Sequence, residues 1–384
     1  MVRATAKADA VVVGAGLHGL SVALHLARAG LRVVVVEKDR AGRHASGANA
    51  GGVRRLGRAV PELPLAQAAL HRWHRISDLV DDDCGFAPAA QIKVAETETE
   101  LAALQMRRDR LLSCGFSHEE IIGQTALRAV LPAAAAHCVG ATIVHGDGHA
   151  DPFRTVRAFS KKARSLGVAL VEGTRVAEVD RTNGRWTIET TGPAYATPVL
   201  VNAAGAWGGD LAAMMGDRAP VTASALMLMI TERLRPFLSP VVGAQGRALS
   251  FKQFGNGTVL IGGAYQGSAD PETGTTTLDM RQLARNAAAA TAIFPNMARA
   301  RVLRGWAGIE GMTPDRLPVI GPASRDGGYH LFGFSAHGFA LAPITGQIIA
   351  DLILNGRTDL PIADFAIQRF APPRTSWTET PTGR

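Results

Sequence analysis

The stretch at residues 8–37, ADAVVVGAGLHGLSVALHLARAGLRVVVVE, restricts what this chain can fold into more than any other. It opens with an apolar run at 10–13, short enough for a strand buried on both faces. Gly14, Gly16 and Gly19 follow in G-x-G-x-x-G spacing, with Leu17, Leu20, Ala23, Leu24 and Ala27 at helical intervals. The glycines therefore fall at a strand-to-helix turn. Gly30 closes the helix, and residues 33–36 form a second strand ending at Glu37. Each glycine has its own task. Gly14 makes the turn tight, Gly16 admits a pyrophosphate close to the backbone, and Gly19 lets helix and strand pack closely. The helix N-terminus, from Ala15 through His18, offers N–H groups and a positive dipole end to that pyrophosphate. Glu37 stands where a carboxylate accepts from ribose hydroxyls, which argues against a 2′-phosphate. The pattern predicts an α/β, Rossmann-type domain and a dinucleotide site for FAD or NAD rather than NADP.

At 384 residues, 47% apolar and 19% charged, the chain can bury a large core and build two domains. No apolar leader precedes the first strand, and the longest uncharged apolar run, 219–230, is too short to span a bilayer. We expect no transmembrane segment and a cytoplasmic location. Cys84, Cys114 and Cys138 are scattered without CxxC spacing, which fits reduced thiols better than disulfides or a metal cluster. The net charge of +8 raises the question of nucleic acid. The basic residues are mostly dispersed and aromatics are only 5%, so no stacking platform is visible and no nucleic-acid partner is expected. One dense group, Arg40, Arg43, Arg54, Arg55 and Arg58, follows the dinucleotide unit. It reads as a solvated loop, or as a site for an anionic cofactor or a substrate carboxylate.

Residues 38–58 are rich in Gly, Ala and Ser and read as a loop crossing the cofactor. There Ser46, Gly47, Ala50, Gly51 and Gly52 would let backbone press close to a flat ring. A helix is expected at 63–79, a strand at 91–95, a helix at 98–114 and a strand around 143–144. In HGDGHADP, residues 145–152, the side chains of His145, Asp147, His149 and Asp151 would share one face of an extended segment, as a metal might need. Asp151-Pro152 also reads as an N-cap and first helical residue, and no metal site is expected. Asn183-Gly184 predicts a hairpin turn, and the strand at 199–202 runs into small residues and Trp207. Strands at 220–230, 249–254 and 258–265 and a helix at 278–293 suggest an inserted, sheet-based domain. The expected division is a cofactor domain of 1–80, 140–218 and 305–370, a substrate domain of 81–139 and 219–304, and a mobile tail of 371–384.

Four motifs occur in order: GAGLHG with Glu37, ASGANAGG, VNAAGAW, and TPDRLPVIG with GFSAHGFALAPITG. On these the chain resembles the FAD-dependent amino-acid oxidoreductases of the D-amino-acid oxidase, glycine oxidase and sarcosine oxidase superfamily. Within it, the chain is similar to the catalytic subunits of hetero-oligomeric D-hydroxyproline or proline dehydrogenase, opine oxidase and sarcosine oxidase. The resemblance implies a discontinuous FAD domain, an inserted mixed sheet, and hydride transfer from the α-carbon of a small amino or imino acid to FAD. It places Ala15, Leu17, Glu37 and Lys38 at the pyrophosphate and adenosine, and Ser46 and Ala50, Gly51 and Gly52 at the isoalloxazine. Val176 would meet the adenine through its backbone, and Ala204 and Gly205, with Trp207 close by, would approach the ribityl chain. Gly308 marks the place near the ring where some members attach flavin through a cysteine. Gly338, Phe339 and Ala340 open a helix aimed at the flavin pyrimidine, whose reduced form carries negative charge. Arg54 is the candidate cation for the flavin or the substrate carboxylate, and His337 lies beside the helix start.

Two departures from the monomeric sarcosine oxidase pattern matter. No cysteine lies beyond Cys138, so FAD should be noncovalent. The lysine with which those oxidases promote the oxygen reaction is replaced, in TVLIGG, by Leu260. A dehydrogenase that hands electrons to a partner subunit or carrier is therefore expected. The alternatives are an FAD-containing tRNA-modification module and a noncatalytic subunit in which FAD only relays electrons.

Overall fold

The computed structural model describes residues 6–371; the expected tail lies, from 372 onward, outside them. Its central layer is a six-stranded sheet ordered Ala169–Val171, Val33–Val36, Ala10–Val13, Val199–Asn202, Gly328–Phe332 and Val319–Pro322. Neighbours run parallel except the last pair. The valine runs have a simple cause: both faces are covered. Ala10, Val12, Val33 and Val35 join a core with helices Leu17–Arg28, Leu63–Trp73, Pro152–Ser165 and Gly338–Asn355. Val11, Val13 and Val36 face the other way, onto Trp186, Ile188 and Tyr195 of a four-stranded sheet. That sheet contains the predicted hairpin, in which Asn183 and Gly184 take φ of 52° and 75° as a type I′ turn requires.

The second large element is a ten-stranded, mostly antiparallel sheet. Its strands come from two separated stretches. Gln91–Ala95, Glu120–Gly123 and Gly140–Val144 precede the hairpin, and the rest lie between Thr222 and Met312. The expected boundaries at 140 and 305 cut through it. Gly140–Val144 pairs with Gln91–Ala95, and Val302–Met312 pairs with Thr222–Arg233. Local periodicity identifies a strand and not its partner, so the boundaries could not be placed from it. One face carries Ile92, Val94, Val242, Phe251 and Ile261 into a core with Leu127, Leu283 and Ile293 of the covering helices. The other face supplies Gln91, Lys93, Val241 and Ser250 to a cavity.

The expected helix at 63–79 is two, Leu63–Trp73 and Ile76–Val80, broken where Arg75 leaves helical geometry (φ −129°, ψ 29°). Asp151 caps Pro152–Ser165 by accepting the Arg154 N–H at 2.9 Å, with Pro152 first in the helix. The four acidic and histidine side chains at 145–151 do not converge, since Asp147 is held by Arg55. Gly338–Asn355 is long and apolar enough to cross a membrane, but most of it is buried here, packed on Leu17–Arg28 and Leu63–Trp73. The Trp73 indole N–H fixes its first turn by donating to the Ala340 carbonyl at 2.8 Å.

The two long helices approach closely because Gly346 has no side chain; a Cβ there would overlap Ser21. Gly346→Val should therefore lower stability by about 1–3 kcal/mol or more, read as a reduced Tm. It should also weaken cofactor retention, because both helix N-termini would shift. A variant with unchanged Tm and cofactor content would show that this contact does not set the spacing.

Candidate active site

A cavity of about 1010 Å³ lies between the six-stranded sheet and the ten-stranded sheet. At one end is the glycine turn. Gly14 has φ of +106°, and a Cβ on it would overlap the Ala203 carbonyl, while one on Gly19 would overlap the Gly14 carbonyl. Gly16 is extended (φ −70°, ψ 174°) and immediately precedes the helix, whose first turn carries no acid. Ser46 Oγ accepts the Leu17 N–H at 2.9 Å, tying the second loop to this helix start. Gly14, Gly16, Leu17 and His18 all line the cavity. Ala15 and Gly19 do not: both are buried, and the Ala15 N–H is already donated, at 2.8 Å, to Glu37 Oε2. These two residues shape the turn from behind instead of facing a ligand.

Glu37 also accepts the Asp39 N–H through Oε1 at 2.8 Å. Burial raises its carboxyl above the ordinary range, and the two N–H groups act in the opposite direction. Lys38 stands 3.9 Å over the Trp207 ring and bonds Asp39 at 2.5 Å. Lys38, Trp207, Ala204 and Gly205 line the same end of the cavity, as does Val176. A register shift between Val176 and Glu178 interrupts the ladder there.

The middle of the cavity is walled by the 45–52 loop. Asn49 shapes it: its amide donates to the Ala45 and Ser46 carbonyls, and its carbonyl accepts the Gly51 N–H at 2.7 Å. Ser46, Ala50 and Gly52 reach the cavity, whereas Gly51 (φ +67°) is turned against the Ala150 carbonyl and does not. Gly308 lies across from this loop, and a Cβ there would be 2.5 Å from that of Ala48. Trp306 anchors the same strand by donating to the Ala48 carbonyl at 3.0 Å.

At the far end, Ser335 and Ala336 both adopt left-handed φ, 50° and 71°, immediately before the Gly338 helix. Gly338 and Phe339 line the cavity; Ala340 is packed inside. Gly338 has no room for a side chain against His18 and Phe334, whose rings stack at 3.6 Å. Burial pulls the His18 imidazole down to about 3, so it is neutral.

The arginine group divides in two. Arg55 pairs with buried Asp147 at 2.8 Å. Arg58 is fully buried, pairs with Glu62 at 3.1 Å and donates to the His337 carbonyl at 3.1 Å. Glu62 also bonds His337 Nδ1 at 3.1 Å, while burial holds that imidazole below its ordinary range. His337 is thus bound into a structural network at the cavity rim. Arg54 differs: its guanidinium faces the cavity, donates to the Leu56 carbonyl and has no carboxylate within ion-pair distance among the described residues. Burial and neighbouring Arg58 pull it down to about 10.

Three charged groups escaped sequence reasoning. Lys93 lines the cavity beside Arg54 and Arg107, and Glu310 lines it near Ala336. Lys252 is buried, faces the Phe254 ring at 4.7 Å and has no hydrogen-bond partner among the described residues. A lone charge in an otherwise apolar strand, as in WAGIEGM, was the available signal.

The cavity has the parts that FAD needs: a side-chain-free turn at a helix N-terminus, an acid at the strand end, and a long, partly apolar channel reaching a second helix N-terminus. Residues 9–352 match the family described as FAD dependent oxidoreductase. The glycine oxidase of Geobacillus kaustophilus is 27% identical over 376 residues, covering 95% of this chain and 98% of that protein. An opine oxidase subunit of Rhizobium meliloti is 26% identical over 374 residues, covering 95% and 98%. The crystal structure of L-proline dehydrogenase from P. horikoshii superposes with a TM-score of 0.87 at 26% identity, covering 96% of this chain and 98% of that one. This chain belongs to the FAD dependent oxidoreductase family, and FAD is the dinucleotide its glycine turn serves.

Proposed function

We propose that the chain oxidises a small amino or imino acid of the proline, hydroxyproline, sarcosine, glycine or opine type and passes the electrons to a partner subunit or carrier. The observation that carries this reading is Arg54, a cavity-lining residue whose guanidinium has no carboxylate partner among the described residues. A planar fork of donors suits a substrate carboxylate. FAD, when bound, accepts the hydride. The protein orients the substrate, excludes water and presents the Gly338 helix N-terminus to the charge that develops on reduction. The relatives named as oxidases and dehydrogenases of glycine, opines and proline support the substrate class, and the one named as a subunit supports a partner.

One observation favours a second reading, an oxidase. Leu260, which by the resemblance replaces the lysine of the monomeric sarcosine oxidases, pairs in register with Lys252 on the adjacent strand, so both side chains point to the same face of the sheet. Burial pulls the Lys252 amine down to about 7, leaving part of it cationic at neutral pH.

Anaerobic mixing of the FAD-loaded protein with D- and L-proline, hydroxyprolines, sarcosine, glycine and opines should bleach the flavin with at least one of them. No bleaching by any would remove the catalytic reading. With the active compound, Arg54→Ala should weaken substrate binding roughly 10- to 100-fold, and Arg54→Lys by less. Unchanged affinity and reduction rate in both would sink the role of Arg54. Acid precipitation should leave the pellet colourless, as expected for noncovalent FAD. Recolouring in air should be slow. If the oxidase reading holds instead, it is fast, slows as pH rises through about 7 and is lost in Lys252→Met; a flat profile excludes that reading.

A further inference from the structure

Glu310 stands out among the cavity carboxylates. Glu37 is occupied by two N–H groups at the adenosine end, and Asp210 is exposed. The Glu310 carboxylate accepts one bond, from the Ala336 N–H at 2.6 Å, and no cationic side chain lies within ion-pair distance of it among the described residues. It projects from the same strand face as Trp306 and Gly308, which press on the 45–48 turn, and it borders the turn that starts the Gly338 helix. It therefore stands at the ring end of the cavity. Directly opposite in the ladder is Ser224, whose buried hydroxyl has no partner among the described residues. Burial pushes the Glu310 carboxyl up to about 7, and the Ala336 N–H acts against that.

We propose that Glu310 is the group that recognises the substrate's amine: it binds the ammonium nitrogen and accepts one of its protons before oxidation. This rests on the amino-acid reading above. In the step, a substrate N–H bond breaks and an O–H bond forms on Glu310, leaving the electron pair on nitrogen. FAD, when bound, would supply the oxidant that takes the Cα hydrogen with both its electrons, and the nitrogen lone pair that Glu310 has freed would close the C=N bond. Arg54 and Glu310 thus divide the zwitterion between them, the cation taking the carboxylate and the carboxylate taking the amine. The cost of keeping a carboxyl without a cation in the free protein is offset when the ammonium arrives.

The ionisable groups on the surrounding elements are His337 on the adjoining turn, Arg316 before it, His44 beside the 45–48 helix and Asp210 after Trp207; the Thr222–Arg233 strand offers only Ser224. Burial holds His337 and His44 below their ordinary range, and the latter is bonded to Asp39. Among these groups Glu310 is the one whose charge changes near pH 7; Lys252 also changes charge there, but its strand pairs with neither the Glu310 strand nor the Ser224 strand, and Lys252→Met removes its contribution from both pH profiles.

The first arm of the test uses the FAD-loaded protein and propionate, a carboxylate without an amine, followed by the change it makes in the flavin spectrum. As pH rises through about 7, ionised Glu310 should repel it and weaken binding roughly tenfold, whereas Glu310→Gln should bind it equally at all pH values. In the second arm, the flavin-reduction rate with the active amino acid should rise through the same pH in the wild type. Glu310→Gln should lower that rate about 100-fold and abolish the inflection, and Glu310→Asp should restore part of both. The proposal is overturned by pH-independent propionate binding in the wild type, by no propionate effect at any pH, or by a wild-type rate profile in Glu310→Gln. If no amino acid reduces the flavin, the function proposed above fails, and the propionate arm alone decides on Glu310.

Discussion

The cofactor end of the structure depends on one carboxylate. Glu37 ends the second strand, and its two oxygens take the N–H groups of Ala15, in the glycine turn, and Asp39, in the next loop. Three backbone segments that meet at the sheet edge are thereby held by a single side chain. Such bonds to a charged acceptor in a buried place are stronger than neutral ones, and leaving either N–H unpaired would cost about 1–3 kcal/mol. The close contacts at Gly14 and Gly19 add a second restraint, because neither turn nor helix can shift without collision. The position of the helix N-terminus follows from these contacts. Glu37 still has lone pairs for a ribose hydroxyl, so its structural and binding roles are compatible.

That much was legible locally. A glycine turn, a buried strand of valines and a terminal acid are short-range facts, and the structure reproduces them residue by residue. The loop at 45–52 was legible in composition but not in detail: the role of Asn49 in folding it cannot be inferred from small residues alone. The ten-stranded sheet was visible only as separate strands. Its assembly joins Gln91–Ala95 to Val241–Ala244, and no local pattern encodes that pairing. Lys252 shows the same limit at one position. Matching along a single strand finds Leu260 and misses the lysine beside it, because the pair exists only across the ladder.

The charged residues of the cavity separate by how completely they are satisfied. Arg58, Glu62 and His337 form a closed set, with each charge answered by a partner. Arg55 and Asp147 do the same. Buried pairs of this kind are costly to break and serve to hold loops in place, so these residues belong to the scaffold although they lie beside the site. Arg54 and Glu310 are the reverse: each is half-buried, lines the cavity and has no opposite charge within ion-pair distance among the described residues. Charges left so in a folded protein reduce its stability unless something else meets them. One cationic and one anionic group, both lining the same cavity and both incomplete, suit the zwitterion proposed above. A Rossmann turn alone would serve any dinucleotide enzyme, and the arginine alone would serve any acid. Together with the Gly338 helix N-terminus they are the features on which the proposed amino-acid substrate rests.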